Sequence, residues 1–119
     1  MTERRSDKRV PAKFKINYVS DRDYLISYTK DLSVDGMFIC TQKPQPAGET
    51  IKITFSIGII DQVIIVAKVI WINTSDIEGE SGMGVHFIDT PDLIREEILK
   101  TVNKIAVLLD EEKKADRPA

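Results

Sequence analysis

"IKITFSIGIIDQVIIVAKVIWI", residues 51–72, decides the fold class. Its opening alternates: Ile51, Ile53, Phe55 and Ile57 fall on one side, and Lys52, Thr54 and Ser56 on the other. A period of two is the mark of a strand with one face buried. "GIIDQ" interrupts the run as a turn. "VIIVAKVIWI", residues 63–72, then resumes as a longer strand, apolar on both sides for part of its length. Val63, Ile65, Ala67, Val69 and Trp71 share one face of it. Lys68 breaks this stretch, and it is about half the length of a membrane-spanning helix.

The same texture extends in both directions. "FKINYV" sets Phe14, Ile16 and Tyr18 against Lys13, Lys15 and Asn17. "GMGVHFI" sets Met83, Val85 and Phe87 against Gly84, His86 and Ile88. Turn signals at "KPQPAGE" and "NTSDIEGESG" separate the runs. Strands are expected over 14–20, 24–31, 37–42, 50–57, 62–72 and 83–88. Six short strands at close spacing predict a small antiparallel barrel or sandwich. A helix follows over about 91–110. Thr90 suits the N-cap, Pro91 the first helical position and Asp92 the positive end of the helix dipole. Ile94, Ile98, Val102, Ile105 and Leu109 form one apolar stripe that must pack on something. Residues 1–12 are polar and basic and read as an arm. Residues 13–112 read as the folded domain, and 113–119 as a charged tail.

Composition limits the function. The 119 residues make one domain, with Lys+Arg 17 against Asp+Glu 19 for a formal net charge of −2. That balance does not fit a surface built throughout for nucleic acid, so any anion site must be local. The single cysteine, Cys40, excludes an internal disulfide framework and a multi-cysteine zinc site, and its apolar run reads as a small buried side chain. The charged N-terminus lacks the apolar core of a secretion signal, so a soluble, cytoplasmic protein is expected. His86, the lone histidine, reads as a partly exposed side chain on a barrel face. No nucleophile elbow, metal-ligand cluster or Walker-type loop is present, so no enzyme is expected.

Two segments remain. The arm carries Arg4, Arg5, Lys8 and Arg9 within six residues. The planar guanidinium suits phosphates and the O6/N7 edge of guanine. "DLSVDG", residues 31–36, supplies the opposite chemistry. Asp31 and Ser33, two apart at a strand end, are expected to point to one side. A carboxylate there can accept from guanine N1–H or N2–H₂, and a hydroxyl can donate or accept. Gly36 allows a positive φ and a close approach of backbone to a planar ligand.

With these motifs the chain resembles the PilZ domain family. "RSDKR", with Arg5 and Arg9, matches its R-x-x-x-R motif, and "DLSVDG" its D/N-x-S-x-x-G motif. "VIWI" and "GMGVHFIDT" are similar to its last two strands before the C-terminal helix. The resemblance covers nearly the whole chain. It implies an all-β fold, a six-stranded antiparallel β-barrel of the split type with a C-terminal α-helix, that binds cyclic di-GMP, a bacterial second messenger. It also implies a ligand site of Arg4, Arg5, Arg9, Asp31, Ser33 and Gly36, the arm clamping the nucleotide against the barrel. An arginine at position 4 accompanies two stacked nucleotides per chain in proteins that this one resembles. No metal or further cofactor is implied.

Two other readings stand beside this one. "YTKDLSVDGMFICTQKPQPAG" is most similar to a PilZ subgroup of gliding and predatory bacteria, some of whose members act through protein contacts without nucleotide. The alternative is therefore an interaction module for a motility or signalling partner. A single-strand nucleic-acid binder is disfavoured, because that function uses several exposed aromatics and Phe14, Phe55, Phe87 and Trp71 are all expected inside.

Overall fold

The computed structural model describes residues 8–20, 23–77 and 79–115. The alternating stretch 51–57 forms strand β5, Thr50–Ile57, with Ile51, Ile53, Phe55 and Ile57 all buried. After the turn comes β6, Ile60–Asn73, which buries Val63, Ile65, Ala67 and Val69. Ahead of them lie β1, Arg9–Pro11; β2, Lys15–Ser20; β3, Asp23–Ser33; and β4, Gly36–Cys40. β7, Gly82–Ile88, and the helix α1, Asp92–Ala115, complete the chain.

Every strand pairing is antiparallel. The order β3-β2-β5-β6-β7-β4 closes on itself because β4 also pairs with β3. The expected six-stranded barrel is therefore present, with β1 as a seventh strand alongside β3. Closure leaves no free edge among the six, which removes the usual route to edge-to-edge aggregation.

The interior follows from the alternation. Ile16, Tyr18, Ile39, Ile53, Val69 and Met83 are at most 1% exposed. Tyr18 keeps its hydroxyl satisfied inside by donating to Thr41 Oγ1 at 3.1 Å. Phe14 lies half-buried against Phe55, with ring centroids 5.6 Å apart. The helix lays its stripe on the barrel: Ile98 and Val102 are buried, while Ile94 and Ile105 pack at the margin. It packs against β1, β3, β5 and β6 and continues to Ala115, into the segment that reads as a charged tail.

Two expectations need correction. Residues 9–11, assigned by sequence to an arm without a core element, form β1. Val10 is 4% exposed and opposes Leu32. Trp71, expected inside, is 50% exposed. The β6–β7 register shifts between Val69 and Trp71, and one extra residue in a strand moves the residues beyond it off the alternating pattern.

Candidate functional site

"DLSVDG" is the end of β3, a two-residue turn and the start of β4, with Ser33 opposite Gly36. Neither turn residue, Val34 nor Asp35, has a positive φ, so this is not the Asn-Gly type of hairpin. Side-chain bonds hold it instead. Ser33 Oγ accepts from the amides of Gly36 at 3.1 Å and Asp35 at 3.3 Å, and donates to the Gly36 carbonyl at 3.3 Å. The Asp35 carbonyl accepts from the Phe87 amide at 2.7 Å, which ties the turn to β7. Arg95 of α1 reaches Asp35 at 3.4 Å.

Ser33 is only 2% exposed, so its hydroxyl serves the turn and is not open on the surface beside Asp31. Gly36 is not in a positive-φ conformation. Its missing side chain matters because a Cβ would strike the Val85 carbonyl on β7. The close approach inferred from sequence is therefore to a neighbouring strand.

Asp31 has a different setting. The β3–β4 register shifts between Thr29 and Asp31, and the Asp31 side chain keeps 26% exposure. Its Oδ1 accepts from the Phe38 amide at 3.0 Å and from Arg9 Nη1 at 2.6 Å. Oδ2 has no hydrogen bond among the described residues. Arg9, at 47% side-chain exposure, spends one nitrogen on this pair and makes no other side-chain hydrogen bond among the described residues. Residues 22 apart in sequence thus meet on the barrel wall. Arg4 and Arg5 lie outside the described residues.

Arg9 is positioned by the clamp on β1. Thr29, 1% exposed, donates through Oγ1 to the Ala12 carbonyl at 2.6 Å and accepts from the Phe14 amide at 3.1 Å. The Ala12 amide donates to the Lys30 carbonyl at 3.1 Å. Between β1 and β2, residues 12–14 are thus tied to β3 by the Thr29 hydroxyl and by two backbone bonds, the second from the Thr29 amide to the Phe14 carbonyl at 3.0 Å.

Register carries the site across the wall. Asp31 faces Phe38, Phe38 faces Gly84, and Gly84 faces Trp71. The Phe38 and Trp71 rings lie 5.2 Å apart at 33°, and Lys30 Nζ stands 5.7 Å from the Phe38 ring. Beside this row opens a cleft of about 540 Å³ lined by Lys13, Tyr28, Lys30, Cys40 and Thr41. Burial pushes the Cys40 thiol pKa up, with Lys30 and then Lys13 pulling partly against it. Cys40 is accordingly a weak nucleophile here. His86 is exposed, as expected. Among the described residues no cluster of three or more His, Cys, Asp or Glu is arranged to hold a metal. No helix of the described chain is long and apolar enough to cross a membrane.

Sequence reading missed Phe38 and Trp71 as wall residues. The available signal was "GMG" in β7: Gly82 and Gly84 leave space that the two rings fill.

Comparison with known proteins agrees with this architecture. The model of the PilZ domain family matches residues 3–103. The inhibitor of motility MotI/DgrA of Bacillus subtilis superposes with a TM-score of 0.71 at 11% identity, over 92% of this chain and 50% of that one. The PilZ domain of YcgR from Escherichia coli, solved with c-di-GMP, gives 0.64 at 17% identity, over 92% and 95%. The PilZ domain of CeSA from a cellulose-synthesizing bacterium gives 0.61 at 14%, over 82% and 97%. The chain spans about half the length of the motility inhibitor. No curated protein matches it.

Proposed function

The chain belongs to the PilZ domain family, and we propose that it is a receptor domain for cyclic di-GMP, not an enzyme. The observation that carries this reading is the Arg9–Asp31 pair at 2.6 Å. It joins the two family motifs on an open wall of the barrel. Arg9 offers its remaining donors to a phosphate or to the O6/N7 edge of guanine. Asp31 Oδ2 offers an acceptor to guanine N1–H and N2–H₂. Ser33 and Gly36 act indirectly, by fixing the turn that presents Asp31. The c-di-GMP complex of the YcgR domain, a fold neighbour, supports the choice of ligand.

Arg4 and Arg5 complete the clamp by closing on the nucleotide from the arm. β1 is already fixed by Val10 and Thr29, so Arg9 meets the ligand in place, and the proposed cost of binding is that of bringing the arm onto the nucleotide. Ordering costs about 1–2 kcal/mol per residue, which sets the affinity in the micromolar range and suits a reversible sensor acting in the cytoplasm. The surface formed by arm, ligand and barrel rim is what a downstream protein, not yet identified, reads.

Calorimetric titration with cyclic di-GMP tests this, with GTP and a single-stranded oligonucleotide as controls. Two nucleotides per chain are expected for the wild type, and one for Arg4→Ala. Absence of heat at saturating cyclic di-GMP sinks the nucleotide reading. The second reading, an interaction module indifferent to nucleotide, draws on one observation: Val19 on β2, Tyr24 and Ile26 on the adjoining β3, and Ile64 and Val66 on β6, one strand beyond β5, are all exposed. Exposed apolar patches of this kind mark contact surfaces.

A further inference from the structure

β5 lies across the six-strand ring from β4, away from the Asp31–Phe38 wall. Register sets the outward side chains around it in rows. One row runs Tyr24, Val19, Lys52, Val66, and the next runs Ile26, Asn17, Thr54, Ile64. Tyr24, Ile26 and Ile64 are each more than half exposed. Lys15 and Lys68 flank the rows, beside Tyr28 and Thr50. Residues 15–19, 24–30, 50–56 and 62–70, which build this wall, include four lysines and no acid. That is a local reversal of sign in a chain of net charge −2. The centre of the wall is unfinished. Asn17 Oδ1 is buried and has no hydrogen-bond partner among the described residues, although buried acceptors are nearly always paired. The β2–β5 ladder ends at Asn17 and Thr54 while both strands run on. A cleft of about 380 Å³ opens there, with Lys15, Asn17, Thr54, Ser56 and Gln62 in its lining. Gln62 holds a φ of 57°, a costly conformation for a residue other than glycine.

We infer that this wall docks a segment of another protein that carries Asp or Glu between apolar side chains; the inference rests on the contact-surface reading above and not on nucleotide binding. Three occupants compete for such a face. A second copy of the chain, related by a twofold axis, would set the lysines of the wall against themselves. An anionic membrane would attract the lysines, but its hydrocarbon offers no donor to the Asn17 amide, and a closed ring of six strands curves away from a plane. An acidic and apolar polypeptide matches every feature of the wall. Its carboxylates face Lys15, Lys52 and Lys68. Its apolar side chains cover Tyr24, Ile26 and Ile64. Its N–H groups supply the donor that Asn17 lacks.

Short random peptides displayed on phage are selected on the intact protein, and the enriched sequences are synthesised and titrated into ¹⁵N-labelled protein. The enriched peptides are expected to carry more Asp and Glu than Lys and Arg. They should shift the amides of Asn17, Ile26, Lys52 and Ile64, and bind less tightly as salt rises. Lys52 is exposed, so Lys52→Glu should fold normally and weaken these peptides about ten-fold or more, since attraction becomes repulsion. Asn17→Val should weaken them as well, yet raise the melting temperature of the free protein, because it removes an acceptor without a partner. Peptides that map to the wall but are neutral or basic, or that bind the Lys52→Glu protein as tightly as the wild type, overturn the acidic partner and leave the contact surface standing. If no enriched peptide maps to the wall, the contact-surface reading falls and the acidic partner with it. Vesicles of phosphatidylglycerol that shift the same amides when the peptides do not would assign the wall to a membrane. Dimers of the protein alone in sedimentation, with the same amides shifted, would assign it to a second copy. Either result overturns the inference.

Discussion

Arg9 and Ser33 belong to the same pair of motifs but hold opposite positions in the energetics. The Arg9–Asp31 pair is partly open to water, and such pairs contribute about 0–1 kcal/mol to stability. Hydrogen bonds to charged groups contribute about 1.5–3 kcal/mol each once a ligand is present. Arg9→Ala should therefore weaken cyclic di-GMP binding roughly ten- to a hundred-fold while lowering unfolding free energy by less than about 1 kcal/mol. Ser33→Ala should do the reverse. It leaves the amides of Asp35 and Gly36 without their acceptor in a buried turn, at a cost of about 1–3 kcal/mol. Urea denaturation and calorimetry on both variants check the contrast. A stable Ser33→Ala protein that no longer binds would make the hydroxyl a ligand group and not a turn device. Sequence spacing singled out both residues, because two arginines four apart and an acid, a hydroxyl and a glycine at fixed offsets are legible. It did not divide their roles, because burial of Ser33 and the contact of Gly36 with Val85 depend on which strand comes to lie alongside.

At the scale of elements, the strands with clean alternation were legible and the irregular ones were not. β5 runs Ile, Lys, Ile, Thr, Phe, Ser, Ile from 51 to 57 and is placed by its sequence to the residue at its inner end. β1 was missed because three residues with one apolar side chain, Val10, show no period; its register comes from β3. Trp71 was misplaced because one extra residue in β6 breaks the alternation on which its placement rested. The element most exposed to a single change is β1. Thr29→Val keeps the shape of the side chain but strips the Ala12 carbonyl and the Phe14 amide of their partner. It should cost about 1–3 kcal/mol, and hydrogen exchange should speed at residues 9–14 well before it does in β5 or β6. Uniform acceleration through the barrel would mean that β1 is not a separable unit. Affinity for cyclic di-GMP should fall as well, since β1 carries Arg9 to Asp31.

For the whole molecule, closure of β2 to β7 into one ring makes the barrel a rigid support, and the proposed receptor role falls to the groups attached to its wall. The support was readable from sequence in outline, as six strand-like segments at close spacing, and the two polar motifs it left unexplained are where the site is proposed. The neighbourhood of the site was not readable, since Lys30, Phe38 and Trp71 come together only through strand pairing. The most direct test is a ¹H–¹⁵N correlation spectrum of the intact protein titrated with cyclic di-GMP. Shifts should concentrate at Arg9 and Val10, at Asp31 and the Phe38 amide that bonds to it, and at the single indole N–H of Trp71. The amides of Ile51, Ile53 and Phe55 in β5 should stay still. A spectrum unmoved at saturating nucleotide, or shifts gathered on β2 and β5 with Phe38 unchanged, would contradict a site built on the Arg9–Asp31 pair.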